Sequence, residues 1–161
     1  MMNRHLETMT IRPHLLQFVI NELEWLVLLA GGILYGGMEG APFGTFVRGA
    51  TILLALYLTY GLVYLWRSVF YITGEQIIYE RGVFTRRSDF IELYRIIDFK
   101  EQRSFLQQLL GLKTVVVYSG DRTTPQLPMS GVKYRVGLVT FIRERVEYNK
   151  QRKGIYEITN R

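Results

Sequence analysis

Residues 49–66 read GATILLALYLTYGLVYLW, 18 consecutive positions without a charge. As an α-helix this run is about 27 Å long, close to the thickness of a bilayer's hydrocarbon core. The whole chain has 161 residues and a mean hydropathy of only +0.08, so its apolar content is concentrated rather than spread. Arg67 follows the run at once, and Arg81, Arg86 and Arg87 come soon after it. Cutting the chain after Trp66 leaves a net charge of −1 before the cut and +7 after it. By the positive-inside rule the C-terminal part is cytoplasmic.

Upstream, residues 25–38 (WLVLLAGGILYGGM) form a second uncharged run of 14 positions. A cleaved leader fits poorly: some two dozen residues precede the run, and Glu22 and Glu24 abut it. With Leu23 and Glu24 placed at the interface, it approaches a spanning length, and residues 39–44 (EGAPFG) turn it into the longer run. The expectation is a transmembrane hairpin of helices over about 23–40 and 46–66, with both termini cytoplasmic in a bacterial inner membrane. Before it, residues 1–22 read as an amphipathic juxtamembrane segment. There, Pro13 suits a first helical turn, and Leu16, Val19, Ile20 and Leu23 recur at helical spacing. Gly32, Gly36 and Gly40 put small residues on one helix face, suited to close transmembrane packing or, more simply, to ending a helix.

After Trp66 the pattern changes to short apolar runs between turn residues. Strands are expected over 69–73, 76–81, 83–93, 95–102 and 113–119, with a last short one at about 126–129. Residues 114–118 (TVVVY) are the strongest β signal. Residues 104–111 (SFLQQLLG) carry an N-cap serine and a terminal glycine, so a short helix interrupts the strands, with Leu106 and Leu110 expected to face inward. Ser130 is a candidate cap for a final helix whose Val132, Val136, Val139, Ile142 and Val146 make an apolar stripe. The expected folded domain covers 67–153, with a tail over 154–161.

Several of these stretches together resemble the bacterial pleckstrin-homology (PH) domains of small membrane proteins. Residues 71–79 (YITGEQIIY) look like the opening hairpin, 81–87 (RGVFTRR) like its glycine turn and basic strand, and 91–97 (IELYRII) like the strand ending in an Arg-Ile pair. Residues 104–117 (SFLQQLLGLKTVVV) resemble the family's most recognisable stretch, and the likeness covers about 67–131. The resemblance implies a membrane-anchored α+β chain: an N-terminal transmembrane helical hairpin, then a PH-like antiparallel β-sheet or partial barrel with a C-terminal helix. It implies no catalytic motif and no import of phosphoinositide binding.

The chain has no Cys and only two His, so thiol chemistry is excluded and zinc chemistry has few parts. Its acidic residues alternate with basic ones as on solvated sheet faces, so no enzyme, cofactor or metal site is expected. Scattered basic residues without a phosphate loop or base-stacking motif argue against nucleic acid. Arg81, Arg86, Arg87, Lys100, Arg103 and Lys113 are the candidates for contact with anionic membrane lipid. Phe105 and Leu109 are the candidates for contact with a bilayer or a partner, which includes a protein or a second copy of the chain. The expected role is a non-enzymatic membrane protein presenting a PH-like binding or scaffold domain. The alternative is an accessory subunit of a secretion, conjugation or transport assembly.

Overall fold

A computed structural model describes residues 7–154. The elements in chain order are β1 (Met9–Ile11), α1 (Leu16–Asn21), α2 (Leu23–Gly36), α3 (Gly44–Arg67), β2 (Val69–Ile72), β3 (Gln76–Arg81) and β4 (Arg87–Glu92). A 3-10 turn over Leu93–Arg95 leads to β5 (Ile96–Gln102), α4 (Phe105–Leu109), β6 (Leu112–Ser119), β7 (Gln126–Lys133) and α5 (Leu138–Arg152). Two antiparallel sheets result, β1-β2-β3-β4 and β5-β6-β7. They share one core with α5: Phe70, Ile72, Ile77 and Ile91 from the first sheet, Val115, Val117 and Met129 from the second, and Leu138, Ile142 and Val146 from the helix. The expected antiparallel sheets and closing C-terminal helix are therefore present.

Three details differ from the sequence reading. The folded domain is expected to begin at 67, yet Met9–Ile11 joins its sheet by pairing with β2, Ile11 opposite Phe70 and Met9 opposite Ile72. A three-residue strand has too short an alternation to be read from sequence. The strand expected from Val83 starts only at Arg87, because Gly82 at φ +120° turns the chain out into a loop. The final helix begins at Leu138 rather than near Ser130: Gly131 takes φ +72°, and Val132 pairs with Lys113 in the sheet. Of the tail expected over 154–161, only Gly154 lies among the described residues.

α2 and α3 pack against each other as a hairpin. A Cβ at Gly32 would collide with the Thr51 hydroxyl, and one at Gly36 would lie 2.9 Å from Cγ of Arg48, so both glycines give α3 room to approach. Gly40 does not belong to this packing: it sits in the turn at φ +75° with open space around it. α3 is long and apolar enough to cross a membrane, and only 6% of its most apolar window is buried. α2, with 14 residues, is apolar but shorter. Along both helices Val27, Leu28, Leu34, Phe46, Leu53 and Leu56 are exposed.

α5 is tied to the domain at two places. Near its middle the buried Arg145 guanidinium lies 3.4 Å from the Phe141 ring centre and donates to the Glu7 carbonyl at 2.9 Å, just ahead of β1. Burial lowers the Arg145 pKa, so its charge is held in place at a desolvation cost. Near its end Asn149 donates to the Gly74 carbonyl, and Arg152 pairs with Glu75. Arg145→Met keeps most of the volume and removes the Glu7 bond. It should destabilise the domain by about 2 kcal/mol and raise hydrogen exchange at Met9–Ile11 well before the β5-β6-β7 sheet. Unchanged exchange at those residues would show that β1 is held by its strand pairing alone.

Candidate functional site

An antiparallel meander places successive connections at alternate ends. The β1–β2, β3–β4 and β5–β6 connections therefore share one end of the domain, and β2–β3, β4–β5 and β6–β7 share the other. Contacts between the connections agree with this. At the first end α4 reaches α1 through Gln107 Nε2, which donates to Gln17 Oε1 at 2.9 Å, and Phe84 of the β3–β4 loop stacks on Tyr60 of α3, centroids 6.3 Å apart. At the second end Leu93 N–H donates to the Glu75 carbonyl and Gly120 N–H to that of Arg95. The two ends differ in chemistry. The first carries the helical hairpin and the exposed Phe84, Phe105 and Leu109, at 90%, 79% and 73% exposure, whereas the second carries Glu75, Arg95, Asp121 and Arg122.

The hairpin end also holds a pocket of about 370 Å³ lined by Arg12, Arg67, Arg81 and Arg86 together with Trp66, Tyr71 and Glu80. Four arginines against one glutamate leave three formal positive charges in excess. They come from four places: the residue after β1, the last residue of α3, the end of β3 and the β3–β4 loop. Arg81 is held by a 2.8 Å ion pair with Asp89 and lies 5.0 Å from the Tyr79 ring, which itself stacks on Phe70 at 4.3 Å. Beside this pocket Tyr60, Tyr64, Phe84 and Arg87 line a second hollow of about 400 Å³, with Arg81 between the two. In the loop that separates them, a Cβ at Gly82 would run into the Thr85 carbonyl, so only glycine permits this shape.

Of the basic residues singled out from sequence, Arg81 and Arg86 thus meet in one pocket and Arg87 lines its neighbour. Lys100 is exposed on β5, and Arg103 covers the Tyr134 ring at 3.7 Å. Lys113 is not available for lipid: it is 4% exposed, and its ammonium sits 2.6 Å from Glu101 Oε1. In α4 the inward residue is Gln107 rather than Leu106 and Leu110; it bonds Thr114 Oγ1 and Gln17 and completes a capping box with Ser104. Phe105 and Leu109, two residues to either side of Gln107, project outward. Gln17 and Phe18 are the buried residues of α1, while Leu16 and Val19 of its predicted apolar face are exposed.

Arg12, Arg67 and Phe84 had no signal of their own as a site. Arg12 lies more than 50 residues from the rest of the pocket and joins it only because β1 pairs with β2. Among the described residues no group of three His, Asp or Glu is placed to hold a metal ion.

A family model described as a bacterial PH domain matches residues 22–146. The match reaches through the helical hairpin and most of α5, beyond the 67–131 likeness legible in the motifs. No curated protein and no solved structure matches the chain.

The Lys113–Glu101 pair predicts an asymmetry. Glu101→Ala leaves a buried ammonium without its partner and should cost about 1–2 kcal/mol, less than for a fully buried pair because Glu101 is 37% exposed, whereas Lys113→Met removes the charge together with the need for a partner and should cost less. Thermal unfolding of the two purified variants in detergent reads the difference; equal losses would mean that the pair stabilises through its apolar stem contacts.

Proposed function

The chain belongs to the bacterial PH domain family, and from that premise we propose that it is a membrane-anchored, non-enzymatic binding and scaffold module. In this reading the α2–α3 hairpin crosses the inner membrane, both termini are cytoplasmic, and the domain holds its hairpin end against the anionic cytoplasmic leaflet. The observation that carries it is the placement of the four-arginine pocket at the foot of the apolar helix: Arg67 ends α3, and Trp66 lines the same pocket. Anionic lipid attracts each arginine near its surface by about 1 kcal/mol. A headgroup phosphate entering the pocket would meet guanidinium donors from two or three directions, which favours it over a zwitterionic surface. The shorter arm, α2, is about 21 Å long, so the bilayer thins around it. Gly32 and Gly36 are occupied by packing inside the hairpin, so they offer no face for packing on other subunits of a secretion, conjugation or transport assembly.

Two measurements test this. Met38→Cys, at the hairpin tip, and Arg122→Cys, in the β6–β7 loop, are each the sole thiol in the chain. An impermeant maleimide should label the first from the periplasm and the second only after lysis; labelling of position 122 from the periplasm would invert the topology. The chain has two Trp, so Trp25→Phe leaves Trp66 as a reporter in the pocket. Its emission should shift on titration with a short-chain phosphatidylglycerol and not with phosphatidylcholine. Adding Arg12→Gln and Arg86→Gln should weaken that binding by about 30-fold, the equivalent of roughly 2 kcal/mol. Equal response to both lipids would remove the headgroup reading.

A further inference from the structure

The hairpin end carries, besides its charges, two apolar protrusions on different connections: the β3–β4 loop with Phe84, and α4 with Phe105 and Leu109. Their height can be read along α3. Trp25 packs edge-to-face on Tyr57 with centroids 6.2 Å apart, and Glu24 immediately precedes Trp25. Aromatic rings collect at the membrane interface, and on α3 they run from Tyr57 through Tyr60 and Tyr64 to Trp66. Tyr60 is three residues, about 4.5 Å, below Tyr57 along the helix, and Phe84 stacks on Tyr60. On α1 the Phe18 ring meets α3 at the next residue, where a Cβ on Gly61 would lie 3.3 Å from it. Next to Phe18, Gln17 holds Gln107 of α4. The Phe84 loop and α1 therefore meet α3 at neighbouring residues, Tyr60 and Gly61, and α4 is held to α1.

From this we propose that the domain does not hang from its hairpin but is wedged into the cytoplasmic leaflet on two feet, Phe84 on one and Phe105 with Leu109 on the other, which fix its tilt. The occupant of these surfaces is the lipid of the leaflet that receives the hairpin. Three features favour it over a protein partner. Exposed apolar side chains occur on α3, at Leu16 and Val19 of α1 and on α4, and α1 packs against both α3 and α4. Arginines flank the protrusions in sequence, Arg81, Arg86 and Arg87 around Phe84 and Arg103 before Phe105, a pairing of apolar and cationic groups that suits an interface with anionic headgroups. The opposite end of the domain, built from the same number of connections, offers mainly polar loops, with the exposed Ile97 beside Gly120 lying on a strand and not on a protruding connection.

The inference rests on insertion of the hairpin, and one experiment separates the two. The chain has no cysteine, so Leu53→Cys, Phe84→Cys, Phe105→Cys and Arg122→Cys each give a single fluorophore site, the first on the exposed face of α3. All four side chains are exposed, and the labelled proteins are reconstituted in vesicles of phosphatidylethanolamine and phosphatidylglycerol. Quencher lipids carry a nitroxide either near the headgroup or near the chain end, and iodide is the aqueous quencher. Expected is loss of emission at 84 and 105 with the shallow lipid and weak quenching by iodide, loss at 53 with the deep lipid, and loss at 122 with iodide only. Emission at 84 and 105 that follows iodide, with 53 still quenched by lipid, would overturn the wedge and leave the hairpin standing. No lipid quenching at 53 would overturn both. Protection from iodide at 105 without lipid quenching would assign that foot to a protein contact and overturn the two-footed arrangement.

Discussion

The pairing of β1 with β2 is the constraint on which the rest depends. Met9, Thr10 and Ile11 lie opposite Ile72, Tyr71 and Phe70, so residues 12–68, the whole helical hairpin included, are one connection between two neighbouring strands. Closing so many unstructured residues would cost about 4 kcal/mol in chain entropy. A hairpin whose two helices already pack against each other brings its ends together beforehand, which removes most of that cost. Gly32 against Thr51 and Gly36 against Arg48 are what allow the helices to approach so closely. The pairing in turn makes the helical unit an insertion with two rigid attachments instead of a tether with one. The Arg145 bond to Glu7 locks the outer strand from the other side of the core.

Two attachments have a geometric consequence for the surface. Each odd-numbered connection of the meander returns to the end from which the helices leave, so the Phe84 loop and α4 are held beside α3 by topology alone. What the side chains add is chemistry. Gly82 turns Phe84 out, the bonds from Gln107 to Gln17 and Thr114 hold α4 with its apolar side outward, and Arg12, Arg67, Arg81 and Arg86 converge beside the Phe84 loop. At the other end Arg152 with Glu75 and Asn149 with Gly74 close the domain through polar contacts. The Glu75 carboxyl is held below its usual pKa by the hydrogen bond from Arg152 and its charge, as befits a solvated ion pair.

Much of this was legible beforehand because it depends on local pattern. The length of the apolar run, the change to strand-length segments after Trp66, the capped helix at 104 and the order of the family-like motifs all survive in the structure, as does the family itself, now matched over 22–146. The misreadings occur where a local signal met a distant partner. Val132 belongs to a valid helical stripe but is claimed by β6, and Lys113 reads as a surface cation but is buried beside Glu101. Leu106 and Leu110 are the obvious core residues of α4, yet a polar partner on α1 turns Gln107 inward.

The sequence by itself determined what each segment is able to do: one run apolar enough to enter a membrane, a basic second half, a set of strands with a capping helix, and no thiol with which to do covalent chemistry. Only the tertiary structure decided which segments act together. It brought Arg12 across more than 50 residues to Arg67, Arg81 and Arg86, and set Phe84 on Tyr60. The reason is physical. Burial and charge patterns within a segment are governed by its own periodicity, whereas the end of a sheet at which a loop emerges, and what stands beside it, follow from strand pairing. That pairing is a long-range choice settled by the shared core.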